Sequence, residues 1–450
     1  MSNPATPNLR KAGKPNLHGV GTANSPPAKG EYPEGGRGFL PKLRFPEFRD
    51  ADWRHDHVGN LTSITKGKGI SKADVEAGGS IPCIRYAELY THYDEVIHEI
   101  VSRTNLPKED LVLSQAGDVI IPASGETKAD IAKAACVLAE GVALGSDLNV
   151  LRSELYGPFL SYLLNSPLRH HIARVAQGDT VAHLYPKQIS QVRLAYPARL
   201  EQQKIADCLN SLDDLIAAED RKLEALRRHK QGLMQQLFPR AGETVPRLRF
   251  PEFRSAGNWR RDHIGNFASI TKGKGISKAD IESGGSVTCI RYAELYTHYG
   301  EVIHEVVSRT NLPKEKLVLS QAEDVIIPAS GETRADIAKA ACVLAEGVAL
   351  GSDLNVLRSD LYGPFFSYLL NSPVRQQIAR VAQGDTVAHL YPKQISQVGL
   401  AYPSRLEQQR IAACLSSLDK LIRQRVRKLE TLRQHKQGLM QQLFPSPEHH

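Results

Sequence analysis

The chain has 450 residues, 41% hydrophobic and 24% charged, and its 57 basic against 49 acidic side chains leave a formal charge of +8. That length and apolar content support two or three folded domains and exclude a wholly disordered protein. No apolar run approaches the roughly 20 residues that span a bilayer, and the opening MSNPATPNLRKAGKPNLHG lacks the apolar stretch of a secretory signal, so a cytoplasmic protein with no membrane partner is expected.

Residues 1–41, rich in Pro, Gly, Asn and Ser and without periodicity, read as a flexible arm. LRFPEFRDADW (Leu43 to Trp53) then opens a globular unit, 42–199. Short β-like runs (IPCIRYAEL, DVIIPAS, ACVLAEGVAL) alternate there with turn signals and one helix-like stretch, GPFLSYLLNSPLRHHIARVA, which predicts a mixed α/β domain. After Pro197 the pattern changes in kind. Ile205, Leu209, Leu212, Ile216, Glu219, Leu223 and Leu226 alternate steps of four and three, a heptad seam that predicts a long helix over 200–239. At about 1.5 Å per residue such a helix is roughly 57 Å long.

The chain then repeats itself. HKQGLMQQLFP ends the first helix at His229 to Pro239 and recurs unchanged 206 residues later, at His435 to Pro445. LRFPEFRSAGNW (Leu248 to Trp259) restarts the unit with one inserted residue, and beyond the Trp about thirty of 186 aligned positions differ. This is duplication of a whole domain. A linker and second domain occupy 240–405, and a second helix 406–445 carries the matching seam Ile411, Leu415, Leu418, Ile422, Arg425, Leu429 and Leu432, with a short tail at 446–450. The copies disagree most at the helix centre. Asp213, Asp214, Glu219 and Asp220 give −4 in one, whereas Asp419, Lys420, Arg423 and Arg425 give +2 in the other. Opposite charges favour pairing of the two helices with each other over self-pairing, and the intervening domain makes the antiparallel arrangement the simplest. The six cysteines form three repeat-related pairs without CxxC or His spacing, so buried thiols are expected and a zinc site is not.

This layout resembles the specificity subunit of type I restriction-modification enzymes over nearly all of residues 40–445, most specifically in the two LEQQ(K/R)IA and two QGLMQQLFP segments. The resemblance implies two target-recognition domains held apart by antiparallel coiled-coil helices in a pseudo-two-fold arrangement, each reading one half of a bipartite DNA site. It further implies two methyltransferase subunits docked on the helices, restriction subunits beyond them, and S-adenosylmethionine, ATP and Mg bound by those partners, with no cofactor on this chain. Recognition domains of that family usually differ from each other; here they are nearly the same, which predicts an interrupted palindrome.

Catalytic motifs fail one by one. NSPL (Asn165 to Leu168) and NSPV (Asn371 to Val374) lack the second Pro and the aromatic of an adenine-methyltransferase motif, and TKGKGISK has the wrong spacing for a P-loop. Charge alone does not establish DNA binding either, because residues 54–199 and 260–405 carry net −1 and +1. Candidate contacts to double-stranded DNA therefore rest on residue type, with cations for phosphates and forked donors or acceptors for base edges. In the first copy they are Lys66, Lys68 and Lys72 on a Gly-rich loop, Arg85 and Tyr86 at a strand, and Ser124, Thr127 and Lys128 after a strand. Thr180, His183 and Lys187 complete the set, within QGDTVAHLYPKQIS. Their counterparts are Lys272, Lys274, Lys278, Arg291, Tyr292, Ser330, Thr333, Arg334, Thr386, His389 and Lys393. Two other functions compete: the recognition subunit of a type IIB-like system, and a coiled-coil interaction scaffold without a DNA role.

Overall fold

In the computed structural model, the described residues are 40–178, 181–384 and 387–445. Most of the expected arm, the tail, Thr180 and Thr386 lie outside them. Each globular domain is built on a five-stranded sheet. In the first its order is Thr62–Lys66, Leu148–Ser153, Asp118–Pro122, Ala135–Val137 and Val96–Ile97, antiparallel except for the last pairing. The strand DVIIP is buried at every residue because both faces are covered, and its side chains divide between them with the period of a strand. Val119 and Ile121 pack with Phe159, Leu163 and Ile172 of the helical face, whereas Ile120 packs with Ile84, Leu89 and Leu144 on the other. The helix-like stretch is two helices, Gly157–Asn165 and Arg169–Val175, broken around Pro167. The second domain repeats this order strand for strand.

The two long helices span Arg199–Leu237 and Arg405–Leu443, 39 residues each. Their cross-contacts fix the direction: Lys230 pairs with Asp419 at 2.6 Å, Asp220 with Arg433 at 2.7 Å, and Asp213 with Lys436 at 2.7 Å. Numbers rise along one helix as they fall along the other, so the pair is antiparallel. Leu223 and Leu429 are buried in the seam, and Leu212, Ile216, Leu226, Leu418, Ile422 and Leu432 are half-buried. The ends of the seam have a second task. Ile205 and Leu209 join the core of their own domain, together with Met440, Leu443 and Phe444 from the far end of the other helix. Ile411 and Leu415 do the same with Met234, Leu237 and Phe238. Each helix thus starts on its own domain and finishes in the core of the other, which ties both domains to one rod.

The repeated sequence motifs acquire reasons here. Arg44 of LRFPEF donates to Glu201 of LEQQ at 2.9 and 2.7 Å, and the Trp53 indole donates to the same carboxylate at 3.3 Å. Glu201 is 1% exposed, so without these donors its charge would carry an uncompensated desolvation cost. Gln202 accepts from Tyr156 N–H at 2.8 Å and donates to Pro197 C=O at 2.9 Å, which locks the helix start to the sheet domain. QGLMQQLFP closes the other end: Gln442 C=O accepts from Leu43 N–H at 2.9 Å and Met440 C=O from the Ser166 hydroxyl at 2.7 Å.

Two expectations are corrected. Arg423 makes no ion pair with the first helix among the described residues; it lines a groove beside the second domain with His304, whose imidazole is held below its usual pKa by burial and by that guanidinium. Cys208 and Cys414 are half-buried on the helices, while the other four cysteines are buried. Among the described residues no helix is long and apolar enough to cross a membrane.

Candidate nucleic-acid interface

Two segments that are distant in sequence meet at one edge of each domain. Ser124–Gly125 pairs antiparallel with Ala182–His183, so the ASGETK and QGDTVAHLYPKQIS segments form one surface. The second segment folds back on itself through reciprocal Gln177 and His183 backbone bonds of 2.9 and 2.7 Å. Gly178 permits the reversal: its φ is +98°, and an added Cβ would lie 2.1 Å from Val181 O. Asn149, fully buried on the strand Leu148–Ser153, pins the arm by donating to Leu184 C=O at 2.9 Å. The pinned arm is extended, so His183 and Tyr185, two residues apart, share a face and stack with ring centroids 6.2 Å apart.

Tyr185 is 45% exposed, and the Lys66 ammonium sits 5.5 Å from its ring centroid. An exposed cation–π contact of this kind is worth about 0.5–1 kcal/mol, enough to orient a lysine without removing it from solvent. The second copy repeats it with Lys272 over Tyr391 at 5.2 Å and His389 against Tyr391 at 6.2 Å. Beneath this face Tyr90 donates to Ser124 C=O at 3.0 Å, and Tyr86 packs edge-on against Tyr90 at 6.3 Å. Burial pushes the Tyr90 phenol well above its usual pKa, which keeps it a donor.

Gly67 follows Lys66 where the strand end touches the Leu144–Gly145 turn; any Cβ there would lie 2.0 Å from Gly145 O. The loop carrying Lys68 and Lys72 then turns through two left-handed residues, Gly69 and Ile70, both at φ +63°. For a β-branched residue that conformation is strained by about 1–3 kcal/mol. Ile70 is nonetheless buried, and Ser146 ties the turn by donating from its hydroxyl to Gly69 C=O at 2.8 Å. Ile276, at φ +66°, repeats the feature.

Several sequence candidates prove to have structural duties. Arg85 donates to Glu88 at 3.2 and 3.0 Å, compensating a carboxylate that is 3% exposed; Arg291 does the same for Glu294. Tyr86 opens the helix Tyr86–Thr91 instead of lying on a strand, and Tyr292 precedes the helix Glu294–Thr297. Thr127 and Thr333 cap short helices by accepting from Asp130 and Asp336 N–H at 3.1 Å, with Lys128 and Arg334 at the first helical position. Ser124 and Ser330 lie in two-residue strands, not loops. Lys72 and Lys278 sit in exposed one-turn helices, and Lys187 and Lys393 on the helices Pro186–Ser190 and Pro392–Ser396. The structure therefore brings Lys66 and His183 against Tyr185, with Ser124 paired to His183 and Lys187 on the helix that follows. Sequence reasoning missed Tyr185 and Tyr90; the available sequence sign of the former is the polar–apolar–aromatic alternation His183, Leu184, Tyr185 before Pro186. The edge combines an aromatic face, cations and short polar side chains, which is chemistry for gripping a polyanion and stacking or hydrogen bonding to its bases.

Two like α/β domains, one at each end of a shared antiparallel rod, define a duplicated protein with a two-fold-like layout. Residues 51–228 and 257–432 each match the family described as "Type I restriction modification DNA specificity domain". The chain belongs to that family and is a type I restriction-modification specificity subunit; specificity subunits of this family are in general non-catalytic. It is 22% identical to the MjaVIII type I specificity subunit of Methanocaldococcus jannaschii over 426 residues, covering 89% of this chain and 93% of that one. A putative MjaX specificity subunit of the same organism is 22% identical across 64% of this chain and 67% of its own. The fold is that of the S subunit from M. genitalium, with a TM-score of 0.61, 16% identity, and coverage of 91% of this chain and all of that one. A structure from work on complex assembly and conformational transition of the type I system gives 0.51 at 17% identity, covering 88% and 98%.

Proposed function

We propose that the two domains read the same short DNA sequence in opposite orientations, so that the target is an interrupted palindrome. The observation that carries this reading is the rod. Glu219 and Arg425 are the same position in the two copies, and they contact each other. A residue that meets its own duplicate marks the axis of a two-fold relation, and a reader related by two-fold symmetry reads inverted half-sites. The helices are about 58 Å long, which caps the centre-to-centre separation near 17 base pairs. The stretch between Asp213, which accepts from the core Tyr162, and Lys230, which lies over the core Tyr368, is roughly 26 Å, in keeping with a spacer of about six to eight base pairs.

In this reading the Tyr185 and Tyr391 edges face the duplex. The chain binds no cofactor. Two methyltransferase subunits dock along the rod and carry S-adenosylmethionine to one adenine in each half-site, while restriction subunits supply the ATP- and Mg-dependent cleavage. The complex works in the cytoplasm, where it meets the DNA. Family membership does not favour the scaffold or type IIB-like alternatives. A gel-shift series with a pool of random duplexes tests the reading. The chain, with its methyltransferase partner, should enrich a gapped inverted repeat, and failure to retain any duplex would return the scaffold.

A further inference from the structure

The two readers have the same shape but different electrostatic settings. In the first domain the Lys68 ammonium lies 3.7 Å from the Asp110 carboxylate, both well exposed. Asp110 closes the one-turn helix Lys108–Asp110; its counterpart closes Lys314–Lys316, and both turns are capped by the same backbone bond of 3.1 Å. Where the first domain has Asp110 the second has Lys316, so a carboxylate has become an ammonium on an unchanged backbone. The neighbouring lysine loop is fixed equally in both, through the left-handed Ile70 and Ile276 and the Ser146 and Ser352 hydroxyls, each 2.8 Å from a glycine carbonyl. In both domains the loop packs on its turn, Ile70 with Leu111 and Ile276 with Leu317 in one small apolar cluster each. The difference between the two faces is therefore charge without shape.

We propose that the second domain is the anchoring reader: both domains recognise the same bases, but Lys274 and Lys316 grip backbone phosphates, whereas Asp110 offsets Lys68. The second domain then engages first and the first domain completes the bipartite contact. This rests on the DNA-reading function proposed above. A lysine already neutralised by a carboxylate releases little counterion when it meets a phosphate, while an unpaired one releases its full share. Each phosphate contact contributes about 0.9 to the slope of log K against log salt, or roughly 3.5-fold in affinity over a fourfold change in salt.

The test uses the full chain with its methyltransferase partner and a random-sequence duplex of about 40 base pairs, because phosphate contacts do not depend on sequence. Fluorescence anisotropy from 50 to 200 mM salt gives the slope, and thermal melting of the exposed-site variants confirms folding. Lys274→Ala should lower the slope by about one, Lys316→Asp by about one and a half to two because it removes its own contact and offsets Lys274, and Lys68→Ala by less than about half of one. Asp110→Lys should raise it by about one and a half to two, one from the new lysine and the rest from the freed Lys68, and Lys68→Ala made in that background should then cost as much as Lys274→Ala. Equal effects of Lys68→Ala and Lys274→Ala, or no change with Asp110→Lys, overturn the proposal while leaving DNA reading intact. Absence of duplex binding by the unsubstituted complex at any salt overturns both.

Discussion

The off-axis and on-axis contacts of the rod obey different rules. Away from the centre, Asp213 meets Lys436 and Asp419 meets Lys230, which is one contact made twice by repeated residues. Duplication needs no sequence change there, because each residue faces a different position of the other copy. On the axis each position faces itself, and a charged residue facing its own copy repels it. Glu219 opposite Arg425, with Lys428 at 3.1 Å, resolves that conflict. Seven of the roughly thirty differences between the copies fall in residues 207–220, which places the divergence where self-pairing would be worst. The same duplication therefore leaves the clamps at the two ends alike and forces the centre to differ.

The largest effects should come from the parts that are alike. Glu201→Ala would strand the Arg44 guanidinium and the Trp53 indole, and Glu407→Ala would strand Arg249 and Trp259. Breaking a buried pair costs about 3–5 kcal/mol, so each variant should lose that much in denaturant unfolding, and by the same amount in either half. Unequal losses would break the equivalence of the ends.

The centre should respond differently. Glu219→Arg sets like charges on the axis and should lower the melting temperature, whereas the exchange Glu219→Arg with Arg425→Glu should restore most of it. The reason is that Lys222, which already sits beside Glu219 at 3.4 Å, is the counterpart of Lys428, so the exchanged carboxylate finds the same neighbours. If the exchange is no better than the single change, the axis does not discriminate charge.

Acid unfolding sharpens the same point. Hydrogen bonds from Lys428, Arg425 and Lys222 hold the Glu219 carboxyl at about 2 against an ordinary 4.5. Its contribution to stability is then complete above about pH 4.5 and is lost as pH falls toward 2. Glu219→Gln should flatten the stability profile over that interval, and an unchanged acid limb would remove the carboxylate from the account. The smallest effect belongs to the exposed Asp220–Arg433 pair, which has no repeat counterpart because Val426 replaces the acid. Asp220→Asn should cost about 0.2–1 kcal/mol and less at high salt, measured by chemical denaturation.

What was legible in the sequence was periodic or repeated. The heptad seam gave the helices within two residues of Arg199–Leu237 and Arg405–Leu443, and the charge disagreement at Glu219 and Arg425 pointed to their pairing. Residue type without partners misled. Arg85 looked like a reader of bases, although Glu88 three residues later was positioned to claim it. The interface edge was the least legible part, because Ser124 and His183 pair across 59 residues through two-residue strands that carry no local signal. Tyr185 becomes conspicuous only after that pairing and the Asn149 bond have turned its ring outward.

The central claim is that near-identical readers on a two-fold rod read one sequence twice. Genome-wide detection of adenine methylation in the source organism tests it most directly. The account predicts one methylated motif equal to its own reverse complement, split by a gap of about six to eight base pairs, with one modified adenine on each strand. Two unrelated half-sites, or one continuous site without a gap, would contradict it.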